Sequence, residues 1–198
     1  MSIDVKTNFE KASKQIDQIN KYSETAIQRT TNDFVSRAPA WVSKAVASVY
    51  GISTKDVKSA YKKGAGKASG KVKVKGVQID NKVLFYQGRV LTPTHFKMRP
   101  SKAPKTRKRA KEVTAEIFKG RRKGLGSKVF LAGNGSGKAI PFVRKGDSAY
   151  PIKAIRTLSV PQMITNKKVK GLINDSINEN LQKRLEHHVD TQLKRMNK

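Results

Sequence analysis

Positive charge is concentrated in the middle of this chain, and that concentration limits how compactly the chain can fold. Residues 58–128 carry 22 of the 43 Lys and Arg residues but only three of the 14 Asp and Glu residues, whereas residues 1–57 are close to neutral. Like charges at this density repel one another, so the middle segment is expected to meet an anionic partner. Hydrophobic residues make up 36% of the chain, which predicts a modest core with extended segments.

Three kinds of anionic partner fit such a segment: nucleic acid, an acidic membrane surface and an acidic protein ring. Nucleic acid is favoured, because the segment contains no lipid-facing amphipathic helix. No apolar run approaches the roughly 20 residues that cross a bilayer, and the N-terminus lacks the apolar stretch of a signal peptide. The absence of cysteine excludes disulfides and thiolate metal sites and fits a reducing cytoplasm. We therefore expect assembly in the cytoplasm and no membrane partner.

The first third of the sequence has the spacing of helices. Apolar residues recur at helical intervals from Phe9 to Phe34. Pro39 is expected to open a further helix that ends at Gly51, and a short helix is expected over 54–63.

The corner between these last two helices has the spacing of a helix-turn-helix, with Ala47 against a partner helix, Gly51 in the turn and Val57 in the second helix. Ser53 is expected to cap the second helix, with Asp56 where a capping box has its acid. As a DNA reader, the corner would direct three residues toward base edges: Thr54, Lys55 and Lys58. The second helix has no Arg, Asn or Gln for bidentate base contacts, so a purely structural corner is favoured.

After a glycine-rich hinge the apolar period changes to two, which is typical of strands. Residues 71–91 are predicted to form a hairpin that turns at 80–81 and carries lysines on one face. Residues 92–111 hold three prolines and eight Lys or Arg without an acid, so they are expected to form a long arm that buries no core. Later alternating segments, with Pro141 marking an edge or bulged strand, predict one antiparallel sheet of four or five strands.

Two basic clusters form the predicted nucleic-acid-binding surface. They are expected to contact phosphates and to read no sequence. Their residues are Lys105, Arg107, Lys108, Arg109, Lys111, Arg121, Arg122 and Lys123.

A long helix is predicted from about Asn166 to about Met196. Its apolar residues recur every fourth position, at Val169, Ile173, Ile177, Leu181, Leu185, Val189 and Leu193. A four-residue step overshoots the helical turn by about 40° each time, so the stripe winds round the helix and one flat surface cannot cover it. We expect the early residues to pack on the protein's own sheet, and Leu185, Val189 and Leu193 to contact a neighbouring subunit. The alternative is a helix wholly covered by its own domain.

The sequence contains no recognisable catalytic or metal-binding constellation. In GNGSGK, residues 133–138, three residues rather than four separate the first glycine from the Gly-Lys pair, so a turn is favoured over a phosphate loop. His95 has no carboxylate nearby in sequence, and His187 and His188 point to different sides of one helix and are expected to be plain helix residues. The acids form no cluster of the kind that magnesium-dependent nucleases need. We expect no enzymatic activity, no metal and no cofactor.

The C-terminal third resembles a known family. The sequence KVFLAGNGSGKAIPFVRKGDSAYPIKAIRTLSVPQMI, followed by a basic amphipathic helix, is similar to the minor tail protein Z family of long-tailed phages, the lambda-type tail-completion proteins. The strongest matching pieces are Tyr150-Pro151-Ile152 and the run from Ser159 to Met163. The resemblance extends over about 128–198, and across 1–127 it is one of layout.

This resemblance implies a structural tail-completion protein in the virion, at the head-proximal end of the tail. Its implied partners are the tail terminator ring, the head–tail connector proteins, the phage DNA end and further copies of itself in a ring. The expected fold is α+β in a single domain over 1–198, with a helical segment over 1–66, a basic β segment over 67–166 and a C-terminal helix over 167–198. Two alternatives stay open: a cellular nucleic-acid-binding protein, helix-turn-helix-like or ribosome-associated, and an assembly factor whose lysines face acidic protein rings.

Overall fold

The computed structural model describes residues 5–62, 71–74, 77–80, 84–103, 112–133 and 139–196, with the backbone alone for 5–16, 71–74 and 77–80. The helices are α1 (Val5–Val49), α2 (Thr54–Ser59), α3 (Val160–Thr165) and α4 (Lys167–Met196). The strands are β1 (Lys71–Val74), β2 (Val77–Asp80), β3 (Thr114–Phe118), β4 (Arg121–Gly124), β5 (Phe130–Gly133), β6 (Ala139–Arg144) and β7 (Ile152–Ala154). The predicted mixed α+β class, with N-terminal helices and a long C-terminal helix, is confirmed. Within the described ranges, no helix is long and apolar enough to cross a membrane.

The chain divides into two compact units. The first unit consists of Met1–Ala38, Gly66–Val83 and Ile177–Lys198, and the second unit consists of Pro39–Ala65 and Leu84–Ser176. The single domain expected from the sequence stays a prediction.

The strands form three separate antiparallel sheets, where the sequence predicted one. Their orders are β1-β2, β3-β4 and β5-β6-β7. In the second unit, a buried cluster lies beside the last two sheets and consists of Met98, Val113, Ala115, Val129 and Ala139. Alternation along a strand shows which face is buried, but it carries no information about which strand is the neighbour. The described residues contain seven strands where four or five were predicted, and their grouping into sheets was not predictable from alternation alone.

The predicted hairpin over 71–91 is shorter than expected. Strand β1 pairs with β2, and the innermost pair is Val74 with Val77. Only residues 75–76, which lie outside the described residues, therefore separate the two strands in the sequence, where the predicted turn was at 80–81. Residues 84–91, the expected partner strand, contain no strand beyond an isolated bridge at Tyr86. The side chains that would form the predicted basic face of this hairpin are outside the described part of the structure.

Strand β6 is the central strand of its sheet and pairs in a regular register on both sides, so the prediction of an edge or bulged strand from Pro141 is wrong. Pro141 pairs with Leu131 of β5, whereas the ladder with β7 starts one residue later, at Phe142. The carbonyl of Pro141 accepts a hydrogen bond from the N–H of Ile155, just after β7. The backbone nitrogen and carbonyl of one strand residue point to the same side. The nitrogen of Pro141, which has no hydrogen to donate, therefore also faces Ile155, beyond the last residue of β7. The proline therefore removes no hydrogen bond from either ladder.

The first part of the predicted basic arm contributes to the core, contrary to expectation. Pro93 begins a short 3-10 helix, and Phe96 and Met98 are buried at 0% and 6% exposure. The backbones of Arg99 and Thr114 exchange two hydrogen bonds of 2.8 Å, which align this segment with β3. Three apolar residues and one strand-like pairing are thus sufficient to order a segment whose composition is strongly basic.

Helix α1 continues through Pro39, where the sequence predicted the start of a new helix. The φ angle of proline is itself helical, so the chain can continue with the loss of one backbone hydrogen bond, at a cost of about 3 kcal/mol. Burial offsets this cost on both sides: Ala38 is fully buried in the first unit, and Val42 and Val46 are buried in the second unit.

The run from Ser159 to Met163, which carries much of the family resemblance, starts α3. The hydroxyl of Ser159 accepts from the backbone N–H of Gln162, and the side chain of Gln162 accepts from the backbone N–H of Ser159. This reciprocal capping box satisfies two donors at the helix start. Val160 and Met163 are buried on the inner side of the short helix. The run is therefore a structural element, and its residues are accounted for by capping and packing.

Candidate functional site

The hairpin of β3 and β4 carries the only predicted nucleic-acid-binding residues that fall within the described ranges. Its strands pair at Ala115 with Lys123 and at Phe118 with Arg121, with an irregular register between these pairs. Gly120 in the turn has a φ of 75°, a left-handed conformation that favours glycine. The sequence analysis assigned no strand to the basic residues 119–123, and the structure shows that Arg121 opens one.

The hairpin is attached to the end of α1. The N–H of Gly51 donates to the carbonyl of Ile117 at 3.0 Å, and the N–H of Lys119 donates to the carbonyl of Val49 at 2.9 Å. A Cβ atom on Gly51 would lie 1.9 Å from the carbonyl oxygen of Glu116. Gly51 is therefore required by the close approach of β3.

This contact bears on the helix-turn-helix interpretation of the corner. The predicted Ser53 cap is confirmed, since its hydroxyl accepts from the N–H of Asp56 at 3.0 Å. However, α2 ends at Ser59 and has six residues, fewer than the ten predicted. Its basic residues Lys55 and Lys58 are exposed. The fold itself accounts for the glycine of the corner, because that glycine receives strand β3.

A charge cluster centred on Glu116 holds the hairpin in shape. The carboxylate accepts from the N–H of Gly120 at 3.0 Å and lies 3.3 Å from Lys97 Nζ and 3.7 Å from a guanidinium nitrogen of Arg122. The Gly120 hydrogen bond first, and then Lys97 and Arg122, lower the pKa of Glu116 below its usual value. Arg122 also donates to the carbonyl of Lys97 at 3.0 Å and to the hydroxyl of Thr114 at 3.3 Å. The negative charge of Glu116 is thus balanced by neighbouring groups, and the guanidinium of Arg122 is engaged in contacts within the hairpin.

The three described basic residues of β4 therefore differ. All of β4 is exposed to solvent, and side chains alternate between the two faces of a strand. Arg122 is turned toward Glu116, whereas Arg121 and Lys123 share the other face. Within the part of the chain that the structure describes, the side chains of Arg121 and Lys123 have no hydrogen-bond or ion-pair partner. The other predicted residues, Lys105, Arg107, Lys108, Arg109 and Lys111, lie outside the described residues.

A second feature of this unit is an open cavity of about 530 Å³ that adjoins the corner. On its wall, His95 Nδ1 lies 3.5 Å from an oxygen of Asp56. No carboxylate lies near His95 in the sequence, because Asp56 and His95 are distant in the chain. The hydroxyl of Ser53, also on the wall, is engaged by Asp56 as the helix cap. Among the described residues, no group of three or more His, Asp and Glu could hold a metal ion.

The distal part of α4, in the first unit, buries polar side chains. His188 is 9% exposed, and its Nε2 lies 3.0 Å from an oxygen of Asp33. Arg184 binds the same carboxylate oxygen at 2.5 Å. The prediction that His188 is a plain helix residue is therefore wrong, whereas His187 is exposed. The missed signal was Asp33, which lies on α1, about 150 residues away from its partners in the chain.

The predicted interface residues lie on the other side of this helix. Leu185 and Val189 are each 39% exposed and Leu193 is 50% exposed, although all three are large and apolar. By contrast, Val169 and Ile173 at the start of the same stripe are buried at 0% and 8% exposure. The stripe therefore winds out of the core as its four-residue step predicts.

Comparison with known proteins gives one result. A search of curated proteins and a search of solved structures found no significant match. A family model described as prophage minor tail protein Z matches residues 7–198, nearly the whole chain. The N-terminal helices and the basic middle are therefore included, beyond the C-terminal third that carried the resemblance. The chain belongs to this family of structural phage tail proteins and is a minor tail protein of the virion.

Proposed function

We propose that this minor tail protein acts at the head-proximal end of the tail during head–tail joining, and that its basic surface holds the phage DNA end through phosphate contacts. The observation that carries the DNA contact is the pair Arg121 and Lys123, which are exposed on a braced hairpin and whose side chains have no partner among the described residues. The neighbouring residues Lys105, Arg107, Lys108, Arg109 and Lys111 would extend this surface.

A braced hairpin suits phosphate binding. The Glu116 cluster and the two hydrogen bonds to the end of α1 fix the backbone beneath Arg121 and Lys123. Little conformational entropy of the backbone is then lost on binding. Contacts to phosphates position a protein on DNA and carry no sequence information. In this proposal Arg122 is a positioning residue, because its guanidinium is already engaged by Glu116 and by the carbonyl of Lys97.

The test measures duplex DNA affinity across a range of salt concentrations. Replacing Arg121 and Lys123 with alanine should weaken binding to all duplex sequences about equally and reduce the salt slope by roughly 0.9 per lost phosphate contact. The triple replacement of Arg107, Lys108 and Arg109 should act in the same direction.

The matched control removes two exposed lysines of the same unit, Lys55 and Lys58, by replacement with alanine. Under the proposal this control changes affinity much less than the hairpin variant and reveals no sequence preference. A selection experiment that returns a defined DNA motif would favour a helix-turn-helix regulator. A protein that ignores DNA at physiological salt would instead be an assembly factor whose lysines face acidic protein rings.

The second part of the proposal concerns assembly. Leu185, Val189 and Leu193 offer an exposed apolar strip on α4, and such a strip on a virion protein is suited to burial against a neighbouring subunit or the terminator ring. A closed ring of copies would place several basic hairpins around one DNA end. The connector proteins would then meet this ring when the head joins the tail.

A further inference from the structure

Phe118 is an exposed aromatic residue in the middle of the basic hairpin. Its side chain is 46% exposed, although phenylalanine is usually buried. It ends strand β3 and pairs across the hairpin with Arg121. Residues directly opposite each other in an antiparallel pair project from the same face. The phenyl ring and the guanidinium of Arg121 are therefore neighbours on one face of the hairpin, and both residues are exposed to solvent.

The ring of Phe118 is supported from beneath. It stacks on Tyr50, with the ring centroids 5.1 Å apart and an angle of 28° between the planes. Tyr50 is only 2% exposed, and its hydroxyl is hydrogen-bonded to the side chain of Asn166. An isolated backbone bridge joins Tyr50 to Phe118, and the N–H of Lys119 donates to Val49. The phenyl ring is thus a fixed platform with one face on the protein and the remainder in solvent.

Three basic residues lie close to Phe118 in the sequence and register of the hairpin. Lys119 follows it in the chain, Arg121 lies opposite, and Lys123 lies on the same face two residues further along β4. The one acid of the hairpin strands, Glu116, is neutralised by its hydrogen bond to Gly120 and by two neighbouring cations. The local field therefore favours an anion close to an exposed π-face.

An exposed aromatic ring among cations is the arrangement that binds single-stranded nucleic acid, because unstacked bases pack on the ring while basic groups neutralise the phosphates. The interior of a duplex offers no free base face to such a platform. We propose that Phe118 stacks with an unpaired base of single-stranded DNA, with the flanking phosphates on Lys119, Arg121 and Lys123. This inference rests on the proposed DNA contact and specifies its ligand as a strand end with unpaired bases.

The experiment compares three DNA ligands on the full-length protein by fluorescence anisotropy. They are a blunt duplex, the same duplex with a ten-nucleotide single-stranded overhang, and the free single strand. The wild-type protein should bind the overhang duplex and the single strand more tightly than the blunt duplex. Phe118→Leu should weaken binding of these two ligands by about tenfold or more, because stacking on an aromatic ring contributes about 1–3 kcal/mol per base. The affinity for the blunt duplex should change little.

Two control variants isolate the platform. Phe118→Tyr keeps an aromatic ring and should retain the overhang preference. Phe85→Leu removes a phenyl ring of similar exposure, 41%, from elsewhere in the same unit and should change nothing. A 2-aminopurine base in the overhang gives a second readout, since stacking on Phe118 should quench its fluorescence in the wild type and leave it bright in Phe118→Leu.

The outcomes separate this inference from the proposed function. Binding to blunt duplex with a normal salt slope, but without overhang preference or quenching, would overturn the platform and leave the phosphate contact intact. An equal loss of affinity for all three ligands in Phe118→Leu would likewise overturn it. The absence of any DNA binding by the wild type would overturn the proposed function and the platform together.

Discussion

Helix α4 presents two different faces to the protein along its length. In its first turns, which belong to the second unit, the apolar residues Val169 and Ile173 are buried. In its last turns, which belong to the first unit, Leu185 and Val189 are exposed, and the buried positions are taken by polar side chains such as His188. At one end the helix buries its apolar residues, as helices usually do, and at the other end it exposes apolar residues and buries polar ones.

The reversal follows from helical geometry. Eleven residues make slightly more than three full turns, so Arg184 faces nearly the same direction as Ile173, whereas Leu185 is rotated by about 100° from Arg184. The buried line therefore follows Arg184 and His188, which bind Asp33, while the apolar stripe turns toward solvent. A polar side chain can occupy a buried position when a charged partner satisfies it. The regular spacing of apolar residues therefore predicts a helix more securely than it predicts which side of that helix is buried.

The largest effect should come from replacing a valine of the apolar stripe with aspartate in the proximal half of α4. The same replacement in the distal half is the comparison. Val169→Asp buries an unpaired charge and should lower the free energy of unfolding by about 3–5 kcal/mol. Val189→Asp, at a site that is 39% exposed, should change the stability of the isolated protein by about 0.5 kcal/mol or less. Urea denaturation followed by circular dichroism measures both.

Val189→Asp should nevertheless prevent function, because the proposed interface would have to bury the new charge. We expect a soluble, folded protein and tails that do not join heads in a complementation assay. If Val189→Asp destabilises the isolated chain as much as Val169→Asp does, the two halves of the helix are equivalent and the comparison fails. Normal head–tail joining by Val189→Asp would show that the distal strip contacts no partner.

A smaller effect should come from the polar contacts of the distal half. His188→Ala leaves an oxygen of Asp33 without one of its partners and should cost about 1–2 kcal/mol. Leu185→Ala, one turn away on the exposed side, is the matched control and should cost less. A greater loss with Leu185→Ala would show that the apolar strip, and not the polar line, holds this half in place.

The same contacts predict a dependence on pH. Burial alone would raise the pKa of Asp33, but hydrogen bonds from His188 and Arg184 and the charges of Arg184 and Arg37 lower it below its ordinary value of 3.8. The stabilisation from Asp33 is therefore fully present above pH 3.8 and is lost as the pH falls through the lower folded value. Asp33→Asn should show a smaller loss of stability than the wild type between pH 6 and pH 3. An identical loss in both proteins would contradict the lowered pKa.

A small effect of the opposite sign, an increase in stability, should come from Gly171 in the proximal half. It lies inside α4 on the exposed side, and a Cβ atom there would meet no atom within 4 Å. Gly171→Ala should raise the free energy of unfolding by about 0.5–1 kcal/mol, because alanine has the higher helix propensity. A destabilised Gly171→Ala protein would show that this surface of the proximal half is also occupied.

Local signals in the sequence were sufficient for several elements. The cap at Ser53, the bounds of α4 and the outward winding of its stripe depend on neighbours a few residues apart, and all three are confirmed. Residues 134–138 of GNGSGK lie outside the described residues, so the predicted turn stays a prediction; the strand β6 follows the segment, where a phosphate loop would lead into a helix.

Several failures involve partners that are distant in the chain. Nothing near Pro39 indicates that its helix continues, and nothing near His188 indicates Asp33. The sequence also gave Arg122 the same predicted role as Arg121, although only Arg122 meets Glu116. The strand period would place these two residues on opposite faces of β4. To know which of the two faces of β4 is turned inward, one needs the position of Glu116. That position depends on the irregular register of β3.

The attachment of the basic hairpin to the end of α1 has a consequence for the speed of folding. The bond from Gly51 to Ile117 joins residues about 65 positions apart, so its formation closes a long loop at an entropic cost. The chain inside that loop is the most basic part of the protein, and closing the loop compresses its like charges. Added salt screens this repulsion within about 10 Å at 0.1 M. The refolding rate should therefore rise with ionic strength, and a polyanion such as DNA could act as a template on which the hairpin docks.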